Sequence, residues 1–218
     1  MKASDIDLAH TDHLLTTTRS VRKRLDFSRP VSRDVVLECL DLALQAPSGG
    51  NRQPWRWLVI DDPDVRMQLG DLYRRSHDPY QAANRAALEA AGRTELNPII
   101  DSSQYLSDHM HEAPVMVIPC LLDRLAPDAS VADTAGFYGS ILPAAWSFML
   151  ALRSRGLGSA WTTLHLAYEQ EAADVLGIPD TVTQCALLPV AYYTGDDFKP
   201  AQRRPATDVT YFNGWKQR

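Results

Sequence analysis

The sequence predicts an α+β protein with a three-layer α/β/α arrangement, in which helices lie on both sides of a central sheet. Helical patterns come first along the chain, and further helices then alternate with only about four strand-like segments. This order of elements is typical of mixed architectures. In addition, residues 134–155 are almost wholly apolar, which indicates a helix that is buried on all sides or that lies against another subunit.

The N-terminal part of the chain contains two predicted helices and a strand. The segment that ends near Thr18 is predicted to be helical. Ser32 caps a second helix, because apolar residues recur at helical spacing after it and Pro47 ends the pattern. Residues 55–62, with the sequence WRWLVIDD, are predicted to form a strand.

The next section begins with a helix and ends with a buried strand. Asp62 and Pro63 supply an N-cap and a first-turn proline for a helix that is predicted to run to about Arg75. Residues 76–100 mix prolines and a glycine with an alanine-rich patch, and we predict a partly helical, lid-like excursion there. A further helix follows, and the apolar run 115–122 predicts a buried strand.

The C-terminal section is built around the apolar helix 134–155. Pro143 either kinks this helix or starts its second half, and Gly156 ends it. The remaining predicted elements are a strand or strand-edge loop, a short helix, a strong strand and a polar C-terminal arm, at residues 158–165, 168–176, 184–195 and 196–218.

Composition limits the class of protein. A chain of 218 residues with 45% hydrophobic content suits a single globular domain spanning 1–218. The net charge of −5 argues against nucleic acid and anionic membrane surfaces as partners. No apolar run reaches 18 residues, so no membrane span is expected. The cysteines Cys39, Cys120 and Cys185 lie far apart in apolar stretches, which favours reduced thiols and a cytoplasmic location.

Several common site motifs are missing from the sequence. The RGLGSAW segment (155–161) contains Gly156 and Gly158 but lacks the third glycine of a dinucleotide fingerprint, and it follows a helix, whereas that fingerprint follows a strand. His109 and His111 are two residues apart and would point to different sides of a helix, so we expect no metal site there.

Two basic segments near the ends of the chain have the composition of anion-binding sites. TRSVRKR (18–24) follows the first predicted helix, and KPAQRRP (199–205) follows the last predicted strand. Solvated basic patches are the simpler interpretation of both. An arginine fork beside a hydroxyl group is, however, a common way for a protein to hold a terminal phosphate.

Four motifs in a fixed order resemble a known family. RSVR, APSGGNRQPWRW (46–57), GLGSAWTT and RRP occur in that order between about Thr18 and Pro205. Together they are similar to motifs of the flavin-dependent nitroreductase family, which also includes flavin reductases, a flavin-consuming synthase and iodotyrosine deiodinases. The resemblance covers nearly the whole chain. It implies a mostly antiparallel sheet of four strands, with one more strand exchanged from a partner subunit.

The resemblance also implies a set of residues that bind FMN. The N-terminal motif contributes charge and a hydroxyl group, with one arginine by the pyrimidine edge of the flavin. The Pro-Ser turn reaches the flavin of the other subunit, the third motif lines the flavin near N5, and the last motif holds the phosphate. In order along the chain, the implied contacts are Arg19, Ser20, Arg22, Pro47, Ser48, Asn51, Trp161, Thr162, Thr163 and Arg203. Thr18 stands where the family often has an arginine, so Arg19 or Arg204 would have to replace that phosphate contact.

The function that the resemblance implies is a homodimeric oxidoreductase with active sites shared across the interface. FMN would take two electrons from NADPH or NADH and pass them to an organic acceptor such as a nitroaromatic or a quinone. No acid, base, nucleophile or metal ligand is assigned. The alternatives are a dehalogenase-type relative, a non-catalytic protein that stores flavin or senses redox state, and a basic-patch nucleic-acid binder, which the net charge disfavours.

Overall fold

A computed structural model of the chain describes residues 6–217, apart from the side chain of Thr94. The chain divides into two compact units. The first contains the described residues up to Thr18 together with those from Asp196 onward, and the second contains Arg19–Gly195.

The terminal unit is small and contains two helices, α1 (Leu8–Thr17) and α8 (Ala206–Val209). Asp7 caps α1, because its carboxylate accepts a hydrogen bond from the backbone N–H of His10 at 3.0 Å. His13 of α1 pairs with Asp197 within the same unit.

The larger unit holds all of the β-structure of the described residues. Its helices are α2 (Arg33–Ala43), α3 (Pro63–Ala90), α4 (Asn97–His109), α5 (Val131–Gly139), α6 (Leu142–Ser154) and α7 (Glu169–Leu176). Its strands are β1 (Leu25–Asp26), β2 (Trp55–Ile60), β3 (Val115–Leu122), β4 (Leu157–Ser159), β5 (Val182–Gln184) and β6 (Leu188–Tyr193).

The sheet of the larger unit has the order β1-β6-β3-β2, and the two remaining strands pair with members of this path. All strand pairs are antiparallel. The longest pairing joins β2 to β3, from Trp55 opposite Leu121 to Ile60 opposite Met116. The short strands β4 and β5 pair with β6 and β3, respectively.

Both faces of the sheet are buried, as a three-layer arrangement requires. Val115 and Val117 of β3 belong to a core cluster with apolar residues of α2 and α6, including Phe148. Side chains alternate across a strand, so Met116 and Ile118 point to the opposite face. They too are fully buried. The α+β class and the three layers predicted from the sequence are confirmed.

The sheet has six strands in the described residues, whereas the sequence predicts four. The predicted strand 184–195 is two strands, β5 and β6, separated by residues 185–187. Strand β1 contains only two residues. Such short strands are defined by pairing with neighbours and leave no alternation in the sequence.

Helix α3 is much longer than predicted. The sequence places its end near Arg75, but the helix continues through Pro79 to Ala90. It packs against α4, α7 and three 3₁₀ segments, and buried residues continue past Arg75, namely His77 and, beyond the proline, Gln81. These tertiary contacts offset the local cost of an internal proline.

The apolar segment predicted as one helix at 134–155 is two helices. α5 ends at Gly139, and α6 starts with Pro143 in its first turn. The stretch Val131–Ser154 is long and apolar enough to cross a membrane by length and composition alone. However, α6 lies in the core against α2, with Phe148 and Leu152 fully buried.

A close backbone contact joins the segment after Thr18 to β4. The backbone N–H of Val21 donates to the carbonyl of Ser159 at 2.8 Å. A Cβ atom at Gly158 would lie 2.9 Å from the side chain of Val21, closer than real contacts allow. Only glycine lets these two segments approach to this distance.

We predict that Gly158→Ala destabilises the protein by about 1–3 kcal/mol, because the added methyl group overpacks against Val21. Gly136→Ala is the matched control. Gly136 lies in α5, and a methyl group at this position would have no neighbour within 4 Å, so alanine should leave stability unchanged or raise it by up to about 1 kcal/mol. Urea unfolding of both variants tests this, and equal stabilities would contradict it.

Candidate functional site

The larger unit contains a cavity of about 520 Å³ beside the sheet. Its wall comes from the segment after Thr18, from α3 and α4, and from the loop that follows β4. The lining residues are Arg22, Tyr73, Tyr80, Gln81, Asn84, Ala87, Leu88, Leu96, Ile99, Ile100, Ser103, Trp161, Thr162, Thr163 and Leu164. The cavity therefore joins two of the sequence motifs, at Arg22 and at residues 161–163.

Arg22 supplies the positive charge of this cavity. Its side chain is half-buried, and burial lowers the pKa of the guanidinium, while nearby Tyr73 acts in the opposite direction. Within residues 6–217, no carboxylate forms an ion pair with Arg22. A partly desolvated cation in a cavity wall is stabilised by an anionic ligand, so this end of the cavity suits a negatively charged group.

The loop after β4 is held rigidly at the cavity wall. The backbone N–H of Leu187 donates to the carbonyl of Thr162 at 2.8 Å, and the Thr162 hydroxyl donates to the Leu187 carbonyl at 2.6 Å. Trp161 packs against the main core cluster. Fixed backbone of this kind can approach a flat ring system closely without the entropy cost of ordering a loop.

His165 lies in the 3₁₀ segment that continues this loop, Leu164–Tyr168. It is fully buried, and neither ring nitrogen has a hydrogen-bond partner within the described residues. Burial lowers the pKa of His165 to about 4, with Glu169 opposing the shift. The imidazole is therefore neutral at physiological pH.

Helices α3 and α4 close the cavity on the side away from the loop. Their contribution combines apolar side chains, such as Leu88 and Ile99, with the amides of Gln81 and Asn84. The segment 76–100, predicted as a partly helical, lid-like excursion, thus forms the wall of this cavity. It is mainly the second half of α3, the 3₁₀ segment Thr94–Leu96 and the start of α4.

The APSGGNRQPWRW motif does not contribute to the lining of this cavity. Ser48 accepts a hydrogen bond from the backbone of Gln53 at 3.1 Å, and the N–H of Gly49 donates to Ser140 at 3.0 Å. Asn51 is exposed and accepts from the Gln53 amide at 3.0 Å. None of Pro47, Ser48 and Asn51 lines the 520 Å³ cavity.

The other predicted contacts are divided between the two units. Arg19 is half-buried and Ser20 is exposed in the segment that leads to Arg22, and neither lines the cavity. Arg203 belongs to the terminal unit, where its side chain is exposed and donates to the Gln202 carbonyl at 3.0 Å.

The sequence reasoning missed the residues that α3 and α4 bring to the cavity. Tyr73, Gln81, Asn84 and Leu88 recur at helical spacing and share one face of α3. This signal is present in the sequence. It is hidden when the helix is predicted to end near Arg75.

An antiparallel sheet between helical layers, beside a cavity that combines one arginine with aromatic and amide groups, defines an α+β protein with a cavity whose wall suits a flat anionic molecule. The sequence profile of the Nitroreductase family matches residues 15–192. The chain belongs to this family, which suggests an oxidoreductase enzyme.

Similar proteins span nearly the same length. Iodotyrosine deiodinase from Thermotoga neapolitana is 27% identical over 199 residues, covering 90% of this chain and 95% of that protein. The crystal structure of an oxidized iodotyrosine deiodinase bound to FMN and 3-iodo-L-tyrosine superposes with a TM-score of 0.70 at 24% identity, covering 93% of this chain and 98% of that one. The crystal structure of a mutant of an FMN and NADPH-dependent nitroreductase derived from Sphigopyxis sp. strain HMH gives a TM-score of 0.65 at 21% identity, covering 94% of this chain and 99% of that one. These structures share the fold described above.

We predict that His165 makes the protein sensitive to acid. The unfolded chain binds a proton at His165 below about pH 6.5, whereas the folded chain does so only below about pH 4. The titration of His165 therefore leaves stability unaffected above about pH 6.5, and the free energy of unfolding decreases by about 3 kcal/mol as the pH falls to 4, because only the unfolded chain takes up the proton. His165→Leu should remove this loss and leave stability at pH 7 unchanged or higher, because two unpaired ring nitrogens disappear.

The matched control is His10→Gln, since His10 is exposed. Denaturant unfolding at several pH values between 7 and 4 measures the effect. The same acid sensitivity in His165→Leu and in the unmodified protein would contradict the assignment.

Proposed function

We propose that this protein is an FMN-dependent oxidoreductase that takes two electrons from NADPH or NADH and passes them to an organic acceptor such as a nitroaromatic or a quinone. The observation that carries the proposal is the cavity in which Arg22 and residues 161–163 come together in a chain of the Nitroreductase family. The free, buried thiols Cys39, Cys120 and Cys185 support a reducing, cytoplasmic location.

The chemistry of the cavity wall fits a flavin. Arg22 offers a fixed positive charge without a carboxylate partner among the described residues, and Trp161 and the tyrosines offer flat surfaces. The volume of 520 Å³ lies within the range of about 300–1,000 Å³ that is usual for small-molecule sites. The close contact between Gly158 and Val21 also supports a flavin site, because it holds the RSVR motif against the GLGSAWTT motif.

When bound, FMN would supply the two-electron chemistry. Arg22 would stabilise negative charge at the pyrimidine end of the ring system. The backbone of Trp161, Thr162 and Thr163 would position the ring, since its hydrogen bonds to Leu187 fix the loop. Leu88 and Ile99 would give the ring system apolar contacts in the cavity wall.

We also infer that the protein acts as a homodimer with shared active sites. The family resemblance implies that Pro47, Ser48 and Asn51 contact a flavin. Because they do not line the cavity of their own chain, we infer that they reach the cavity of a partner. Exposed large apolar side chains on the packed pair α2 and α6 support such an interface. They are Leu37, Leu42, Leu142 and Trp146.

A dehalogenase activity is the second candidate, supported by the similarity to iodotyrosine deiodinase. An amino-acid substrate carries an ammonium and a carboxylate group, and each needs a partner when buried. Among the described residues, the cavity offers Arg22 for the carboxylate but no carboxylate for the ammonium. This favours uncharged aromatic acceptors.

We predict that the purified protein is yellow, or becomes yellow with added FMN, and releases FMN and not FAD on denaturation. The reason is the missing dinucleotide fingerprint. Anaerobic NADPH or NADH should bleach the flavin, and a quinone should restore its colour. Chromatography of the released flavin and visible spectra test this.

The outcomes separate the alternatives. A yellow protein that no nicotinamide nucleotide bleaches would point to flavin storage or sensing. Dehalogenation of 3-iodo-L-tyrosine faster than quinone reduction would favour the second candidate. A colourless protein that does not bind added FMN would overturn the proposal.

We predict that two inactive variants complement each other. Arg22→Glu places a negative charge where the pyrimidine end of the flavin would carry one in its own chain, and Ser48→Trp blocks the approach of the loop to the partner's flavin. Each homodimer is then defective at both sites, while a mixed dimer concentrates both defects in one site and leaves the other intact. Random association of equal amounts makes about half of the dimers mixed, so roughly a quarter of the unmodified activity should return.

The control pairs Arg22→Glu with Lys23→Glu. Lys23 is adjacent to Arg22 in the chain, but it is exposed and lies outside the cavity. Its substitution should therefore not abolish activity in its own homodimer. Co-expression with two affinity tags isolates the mixed dimers. If mixed dimers form but Arg22→Glu with Ser48→Trp stays at the baseline of the variants, each site lies within one chain.

A further inference from the structure

A buried histidine lies directly behind the cavity wall. His77 of α3 is fully buried. Its Nε2 lies 2.9 Å from the hydroxyl oxygen of Ser103, and its Nδ1 lies 3.2 Å from the carboxylate of Asp78. Ser103 lines the cavity, whereas the Asp78 side chain is about half-exposed on the outer surface. The three side chains thus form a continuous hydrogen-bonded path from the cavity to the outside.

The carboxylate fixes which nitrogen of His77 carries a proton. Burial acts to raise the pKa of Asp78, but hydrogen bonds from Gln104, His77 and Ser107 outweigh it, and the pKa is lowered overall. The ionised carboxylate only accepts hydrogen bonds, so the N–H of Nδ1 points to Asp78. Nε2 is left to exchange a proton with Ser103.

A tyrosine accompanies the serine on the cavity side. Tyr73 also lines the cavity beside Ser103, and its ring stacks on His77 with centroids 5.3 Å apart. Burial raises the pKa of Tyr73 to about 12, so the phenol keeps its proton. Arg22 does not give up its proton under ordinary conditions. Of the polar groups near the acceptor, the pair of Ser103 and His77 is the one suited to transfer a proton.

We propose that Ser103 delivers a proton from His77 to the electron acceptor in the cavity, with Asp78 stabilising the protonated imidazole. The inference rests on the proposed function, because it concerns the acceptor half of that reaction. Ser103 is the residue that touches the acceptor, and His77 and Asp78 act through it. Neither His77 nor Asp78 lines the cavity.

The step balances for a quinone acceptor. With reduced FMN bound, a quinone would receive a hydride, that is two electrons and one proton, and would need one more proton to become a hydroquinone. The O–H bond of Ser103 breaks as a new O–H bond forms on the quinone oxygen. The Nε2–H bond of the doubly protonated His77 imidazole breaks at the same time, its electron pair stays on the ring, which keeps the Nδ1 proton that faces Asp78, and the released proton restores the Ser103 hydroxyl. Water in the open cavity returns a proton to the imidazole through Ser103 after the product leaves.

The acceptor half of the reaction can be measured alone. The FMN-loaded protein is reduced anaerobically with dithionite, which makes the choice of nicotinamide irrelevant, and is mixed rapidly with benzoquinone in H₂O and in D₂O. We expect Ser103→Ala to reoxidise at least about tenfold more slowly, because a positioned general acid typically contributes about 10²–10⁴-fold. The unmodified protein should be slower in D₂O, and the variant should lose this difference.

Three further variants test the path. Ser103→Thr keeps a hydroxyl group and should retain most of the rate and the solvent isotope effect. Ser102→Ala, at the preceding position of α4, is the matched control and should behave like the unmodified protein. His77→Gln should resemble Ser103→Ala. Affinity for FMN should be unchanged in all variants, which shows that the cavity is intact.

Equal rates and equal isotope effects in Ser103→Ala and in the unmodified protein would overturn the inference while leaving the proposed function in place. This test does not depend on whether His77→Gln folds. If the unmodified protein binds FMN but its reduced form is not reoxidised by any quinone or nitroaromatic compound, both the proposed function and this inference fail.

Discussion

The contact between Gly158 and Val21 is the constraint on which the candidate site depends. A methyl group at residue 158 would meet the Val21 side chain at 2.9 Å, and the Val21 amide bonds to Ser159. Since Arg22 follows the first segment and Trp161 follows the second, this contact fixes the distance between the charged end of the cavity and its backbone loop. Two motifs that lie more than 130 positions apart in the chain thereby act as one site.

Helix α3 provides the wall of the cavity that faces the Arg22 segment and the loop after β4. The segment after Thr18 and the loop after β4 form only one side of the cavity. The continuation of α3 through Pro79 supplies the opposite wall. The same continuation places His77 in the packed contact between α3 and α4, where Ser103 and Asp78 satisfy its ring nitrogens. A helix that ended at Arg75, as the local sequence favours, would lose both the wall and the hydrogen-bonded path.

Sequence reasoning succeeds where a signal is local or belongs to a motif. The helix capped by Ser32 and the apolar strand 115–122 are predicted close to their observed bounds, and Arg22, singled out by its motif, lies in the cavity wall. It fails where pairing between distant segments of the chain determines the local structure. The two-residue strand at Leu25 exists only because it pairs with Tyr193, and nothing in the local pattern indicates this. The role of Arg203 stays a prediction.

The geometry of the APSGGNRQPWRW loop supports the proposal that a second copy completes the site. Gly50, Asn51 and Gln53 all have positive φ angles, a costly arrangement for the two residues that are not glycine. Hydrogen bonds within the loop and from Gly49 to Ser140 hold this shape. A loop held this firmly at the start of α6 cannot fold back over the cavity of its own chain without losing these bonds. The fixed shape of the loop therefore supports the proposal that the Pro-Ser turn serves the cavity of a second copy of the protein.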